Sequence, residues 1–80
     1  MDDVEATKQI LDAAILGSGE RMLPYFRFSH LPAKLAAASA GFARLACEVV
    51  ASQPGSAERT VCLRKLLEAK DCAVRNLLES

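Results

Sequence analysis

The stretch "LAAASAGFA", Leu35 to Ala43, carries no charge on any side and holds five alanines. Alanine has the highest helix propensity, and Pro32 stands where the first residue of a helix tolerates a missing N–H. The helical pattern continues to about Ser52. Leu35, Phe42, Leu45, Val49 and Val50 form one apolar face suited to packing on another helix, while Ala36, Ala37, Ala38, Ser39, Ala40, Gly41 and Ala43 occupy the other sides. A helix that is apolar or small all round is normally covered all round. Eighty residues make at most one domain with a modest core. That is too little to cover such a helix on every side. The expectation is packing against another subunit, with small residues allowing close approach. The plainer alternative is an alanine-rich helix of high intrinsic propensity.

The remainder reads as helix too. "QPGS", Gln53 to Ser56, is a tight connection, and Ser56 can cap a third helix that has Glu58 in its first turn. So short a link predicts that the second and third helices lie antiparallel as a hairpin. From Glu58 to Ser80, Leu63, Leu67, Val74 and Leu77 share a face at steps of three and four. Lys70 falls in the same row. An ammonium there needs a partner, either a carboxylate of another subunit or a bound phosphate, unless its stem carries it past the seam. Arg64, Glu68, Asp71 and Arg75 read as solvated pairs on the outer face.

At the other end, a first helix is predicted from Asp3 to Leu16, with early acids at its N-terminus and "GSG" ending it. Between helices lies "ERMLPYFRFSHLPAK", expected as an ordered, extended connection because a free linker would not carry Tyr25, Phe26 and Phe28. The fold class is all-α: a short N-terminal helix and turn over 1–22, then a long antiparallel hairpin, in one domain over 1–80.

Several function classes are disfavoured. Cys47, Cys62 and Cys72 are odd in number and fit no zinc spacing, which suits small apolar roles in a reducing cytosol. No segment is expected to span a bilayer, and "AAILG" lacks the basic start of a signal peptide. Ten basic and ten acidic side chains cancel, against nonspecific DNA binding. Their distribution is uneven, however. From Arg21 to Cys47 there is no acid, but there are Arg21, Arg27, His30, Lys34 and Arg44. The first twelve residues set Asp2, Asp3, Glu5 and Asp12 against Lys8. A local basic zone in a neutral protein suits a discrete anion, or else is ordinary surface charge.

No catalytic constellation stands out, and no metal or cofactor is expected. His30 has only Ser29 beside it, and reads as a turn or cap residue ahead of Pro32 or as a ligand contact. Tyr25, Phe26 and Phe28 alternate with Arg27, as stacking and charge for a nucleobase-plus-phosphate ligand would require. The same residues equally form a lid over one end of the hairpin. Arg59 and Thr60 lie near a helix N-terminus, where backbone N–H groups favour anions.

"YFRFSHLP", "GFARLACEVV" and "PGSAERTVCLRKLLEAKDCAVR" together resemble the phage-encoded anti-CBASS sponge family, over about 56 of 80 residues. Those proteins sequester the cyclic di- and trinucleotide signals of bacterial antiphage defence. The resemblance implies an all-helical homo-oligomer, typically a hexamer, in the cytoplasm of the infected host. It implies cyclic dinucleotides held between subunits, cyclic trinucleotides in separate pockets, and no cleavage. Carried over by position, Phe28 would stack on a base, with His30 as the histidine of the "HLP" lead-in and Arg44 as the basic residue before "LA". Glu58, Arg59 and Thr60 form the turn into the last helix, and Lys65 and Lys70 fill its basic positions. Lys34 joins them from the acid-free zone. The sequence departs from the pattern at Ser29, which separates the aromatic from the histidine, and at Cys62, where a small alanine is expected. Met1 to Met22 has no counterpart. The competing expectation is a helical protein–protein interaction or regulatory module.

Overall fold

A computed structural model describes residues 3–79. Met1, Asp2 and Ser80, named above at the two ends, lie outside the described residues. Three helices make up the fold: α1 (Asp3–Ser18), α2 (Ala33–Ser52) and α3 (Ala57–Glu79), with a short 3-10 turn at Leu23–Phe26. Among the described residues there is no strand. The molecule measures 37 × 27 × 16 Å, its long axis close to the ~34 Å of a 23-residue helix.

Local chemistry sets the boundaries. α1 runs two residues past the expected Leu16 and stops where Gly19 adopts φ +68°, a left-handed conformation that glycine enters without Cβ strain. Pro32 precedes α2 rather than beginning it, and its carbonyl accepts the Ala36 N–H at 2.8 Å. At α3, the Ser56 hydroxyl accepts the Arg59 N–H at 3.1 Å and caps the helix as expected.

Asp3, Val4 and Thr7 lie beside Ala37 to Arg44, and Ile10 lies beside Cys47 to Ala51. α1 therefore runs alongside α2 in the same direction. The connection after Gly19 must then return along the length of α2, about 27 Å. That path corrects the expectation of an extended segment: Leu23 and Pro24 begin a 3-10 turn, and the Leu31 N–H closes a further turn on the Phe28 carbonyl at 3.0 Å. Leu23, Phe26 and Phe28 are wholly buried, whereas Tyr25 faces solvent.

The core also corrects the expected face of α2. Ala36, Ser39, Ala40, Ala43, Ala46 and Cys47 are its buried residues, while Phe42, Val49 and Val50 are only partly buried and Leu45 is 46% exposed. Small side chains admit close neighbours, so the bulk that fills the interior comes from Leu11, Leu23, Phe26, Phe28 and Leu63 opposite the alanines. Ala36, Ala40, Ala43 and Ala46 thus serve the protomer's own interior. By length and composition alone, α2 is long and apolar enough to cross a membrane, because alanine and valine raise its hydropathy; the core helix of a soluble helical protein meets the same measure, and 33% of this stretch is buried.

All three cysteines are free; Cys47 is buried, Cys62 and Cys72 exposed. Burial pushes the Cys47 thiol up from 9.0, and the neighbouring Glu48 carboxylate adds to the effect. Because the folded value lies above the unfolded one, the stability from the neutral thiol is complete below pH 9.0 and is lost as pH rises through the folded value. Iodoacetamide at pH 8 is expected to label Cys62 and Cys72 in the folded protein and Cys47 only after urea is added. Equal labelling rates at all three, read by peptide mass spectrometry, would contradict this placement.

Candidate functional site

Position along α2 divides the expected ligand residues. His30 and Lys34 lie at its N-terminal end and are exposed. Glu58, Arg59 and Thr60 follow its C-terminal end across the four-residue link, some ~27 Å of helix away. One protomer does not gather them into a single cavity.

At the C-terminal end, a cavity of about 220 Å³ is lined by Gln53, Ser56, Glu58, Arg59 and Cys62 among others. Arg59 dominates this end. Its Nε donates to Glu20 Oε1 at 3.1 Å, and its Nη1 donates to the carbonyls of Gln53 at 3.0 Å and Val50 at 3.4 Å. The two side chains retain only 13% and 4% of their exposure. Glu20 Oε2 accepts the Met22 N–H at 3.2 Å, and the Glu20 N–H donates to Ser18 Oγ at 3.1 Å. A single guanidinium thus ties the end of α1, the last carbonyls of α2 and the start of α3 together. The resemblance placed Arg59 at a ligand, but most of its donors serve the fold. Glu20 had no marker in sequence, since its partner lies 39 positions on.

Phe28 is a second correction. At 1% exposure its ring is core and does not face a base. Arg44 is half-exposed, with Nη1 3.7 Å from Asp3 Oδ1, a loose surface pair. It stands between two grooves along the α1–α2 seam of about 340 Å³ and 330 Å³. Lys65 is exposed. Lys70 has only 14% of its side chain exposed, and its Nζ lies 2.8 Å from Oδ1 of its own neighbour Asp71. That pairing satisfies the ammonium within the protomer. Asp71 therefore does not serve Arg75, whose Nη2 donates to Cys72 Sγ at 3.2 Å.

Arg21, Arg27, His30 and Lys34 are exposed along the return connection and the first turn of α2. None makes a side-chain hydrogen bond or ion pair with another described residue. This ribbon is the largest set of uncommitted basic groups on the surface, and it can attract an anion without first breaking an internal contact. His30 has no hydrogen bond to a neighbouring nucleophile, and among the described residues no group of three or more metal-ligating side chains is placed to hold an ion. Comparison with protein-family models, with curated proteins and with solved structures gave no match.

Proposed function

We propose that this chain is a binding protein that associates with copies of itself and sequesters cyclic di- and trinucleotides between subunits, without cleaving them, so depleting an antiphage signal in the host cytoplasm. The observation that carries the reading is the ribbon of exposed, unpaired Arg21, Arg27, His30 and Lys34 in a stretch without an acid. Charge-assisted hydrogen bonds to phosphate are the strong contacts such groups offer. An intersubunit crevice would supply the dry walls that no single protomer provides. In this assembly α2 and α3 form the antiparallel hairpin, and Lys65 and His30 belong to pocket rims. Lys70 can contribute to phosphate binding only by exchanging its Asp71 partner. The exposed Ala37, Gly41 and Leu45 in the middle of α2 favour a second reading, a helical module docking on another protein.

A thermal-shift panel separates the two. At a free ligand concentration of one hundred times Kd, stabilisation is about 2.7 kcal/mol, which for a domain of this size is on the order of 10 °C or more. The expected result is such a shift with 3′,3′-cyclic GMP-AMP or a cyclic trinucleotide, and none with linear dinucleotide or ATP. Intact ligand should be recovered after heat denaturation. No shift across the cyclic panel would overturn the proposal and leave the docking module.

A further inference from the structure

The exposed face of α2 has an internal symmetry. Lys34, Ala37, Gly41, Leu45 and Glu48 are all exposed, and their spacings of three, four, four and three read the same in both directions about Gly41. At 100° per residue these five fall within roughly 80° of arc, opposite the buried Ala36, Ser39, Ala43 and Ala46. One end of the strip carries a cation and the other an anion. Lys34 and Glu48 lie about 21 Å apart on one helix, too far to pair within a chain, and neither side chain has an ion pair with a described residue. A Cβ added at Gly41 would meet nothing within 4 Å.

We infer that α2 pairs with α2 of a second copy, antiparallel, about a two-fold axis at Gly41. In that register Lys34 of each chain faces Glu48 of the other, Ala37 faces Leu45, and Gly41 faces itself. The interface is isologous, so every contact occurs twice. The central glycines let the backbones approach closely, leucine over alanine fills the space on either side, and the two ion pairs select the antiparallel direction. The reverse, parallel alignment would oppose like charges. This inference rests on the self-association proposed above and specifies one of its contacts. The strip is narrower than the 1,200–2,000 Å² of a stable interface, so it serves as one contact of a larger assembly.

Charge reversal tests the register. Lys34→Glu alone and Glu48→Lys alone each replace two attractions with two repulsions, and should weaken self-association on the order of tenfold. The double variant restores complementary pairs and should recover the wild-type association, read by sedimentation velocity with helicity checked by circular dichroism. Independently, Gly41→Cys in a Cys62→Ser, Cys72→Ser background should oxidise to a covalent dimer, because only a residue on a two-fold axis meets its own copy. A wild-type protein that stays monomeric at high concentration overturns the pairing. So does association indifferent to both single reversals, or a Gly41→Cys chain that remains uncrosslinked. The ligand panel uses the wild-type chain and its own readout, so loss of this pairing and loss of nucleotide binding are separate results.

Discussion

Arg59→Met is expected to destabilise the protein by about 3–5 kcal/mol, because it leaves a buried carboxylate without its cation. Glu20 keeps only 4% of its side-chain exposure and cannot turn to water. The carbonyls of Val50 and Gln53 lose their donor in the same step. A domain of this length has a total stability on the order of 4–12 kcal/mol, so the change removes a large share of it. Arg59→Lys should recover only part, since an ammonium lacks the planar fork that reaches a carboxylate and two carbonyls together. The double variant Glu20→Met, Arg59→Met should be closer to wild type than Arg59→Met alone, because no charge is then left stranded. Urea denaturation of wild type, Glu20→Met, Arg59→Met and the double variant measures the cycle, with Arg59→Lys measured beside it. A loss below about 1 kcal/mol for Arg59→Met would place the pair among solvated surface ion pairs and contradict the clamp.

Phe26→Ala should have a similar effect for a different reason. The ring is 1% exposed, and truncating a buried phenylalanine costs about 3–5 kcal/mol through lost transfer energy and the cavity left behind. Its neighbour supplies the control. Tyr25 is 64% exposed, so Tyr25→Ala should stay within about 0.5 kcal/mol of wild type. The two substitutions sit one residue apart in the same 3-10 turn. Equal destabilisation by both would mean that the return connection lies over the helices as a loose lid. The expected large difference means that it is part of the core.

These two sites mark the limit of what could be read from the chain. Helix periodicity, the proline before α2, the serine cap of α3 and the "QPGS" break are local signals, encoded within a few residues. Each led to an element that the structure contains. Which face of α2 turns inward was not local. Large apolar residues normally mark the buried side, but here the alanine side is buried because Phe26 and Phe28 arrive from the connection and supply the missing volume. The same event moved Phe28 from its expected place at a ligand into the interior.

The candidate site divides along the same line. The acid-free run from Arg21 to Cys47 is visible in the sequence, and Arg21, Arg27, His30 and Lys34 are exposed in the fold. Lys70 was marked correctly as a cation on an apolar row, but its partner is Asp71, the adjacent residue. Spacing rules at three and four positions pass over an adjacent pair. Arg59 was marked as a ligand contact because the start of a helix attracts anions. The anion it meets is Glu20, brought there by the course of the chain.

Three helices, the short break between the last two, an ordered aromatic-rich connection and a basic zone free of acids are all legible in the chain. Periodicity, capping and composition act over one or two turns, and a single chain records them in full. That α1 lies beside α2 in the same direction follows from the packing of the whole chain. That direction obliges the connection to run back along α2, buries two phenylalanines over the alanines and leads Glu20 to Arg59. Packing complementarity and a charge pair 39 residues apart depend on the path of the whole chain, and no local pattern contains that path.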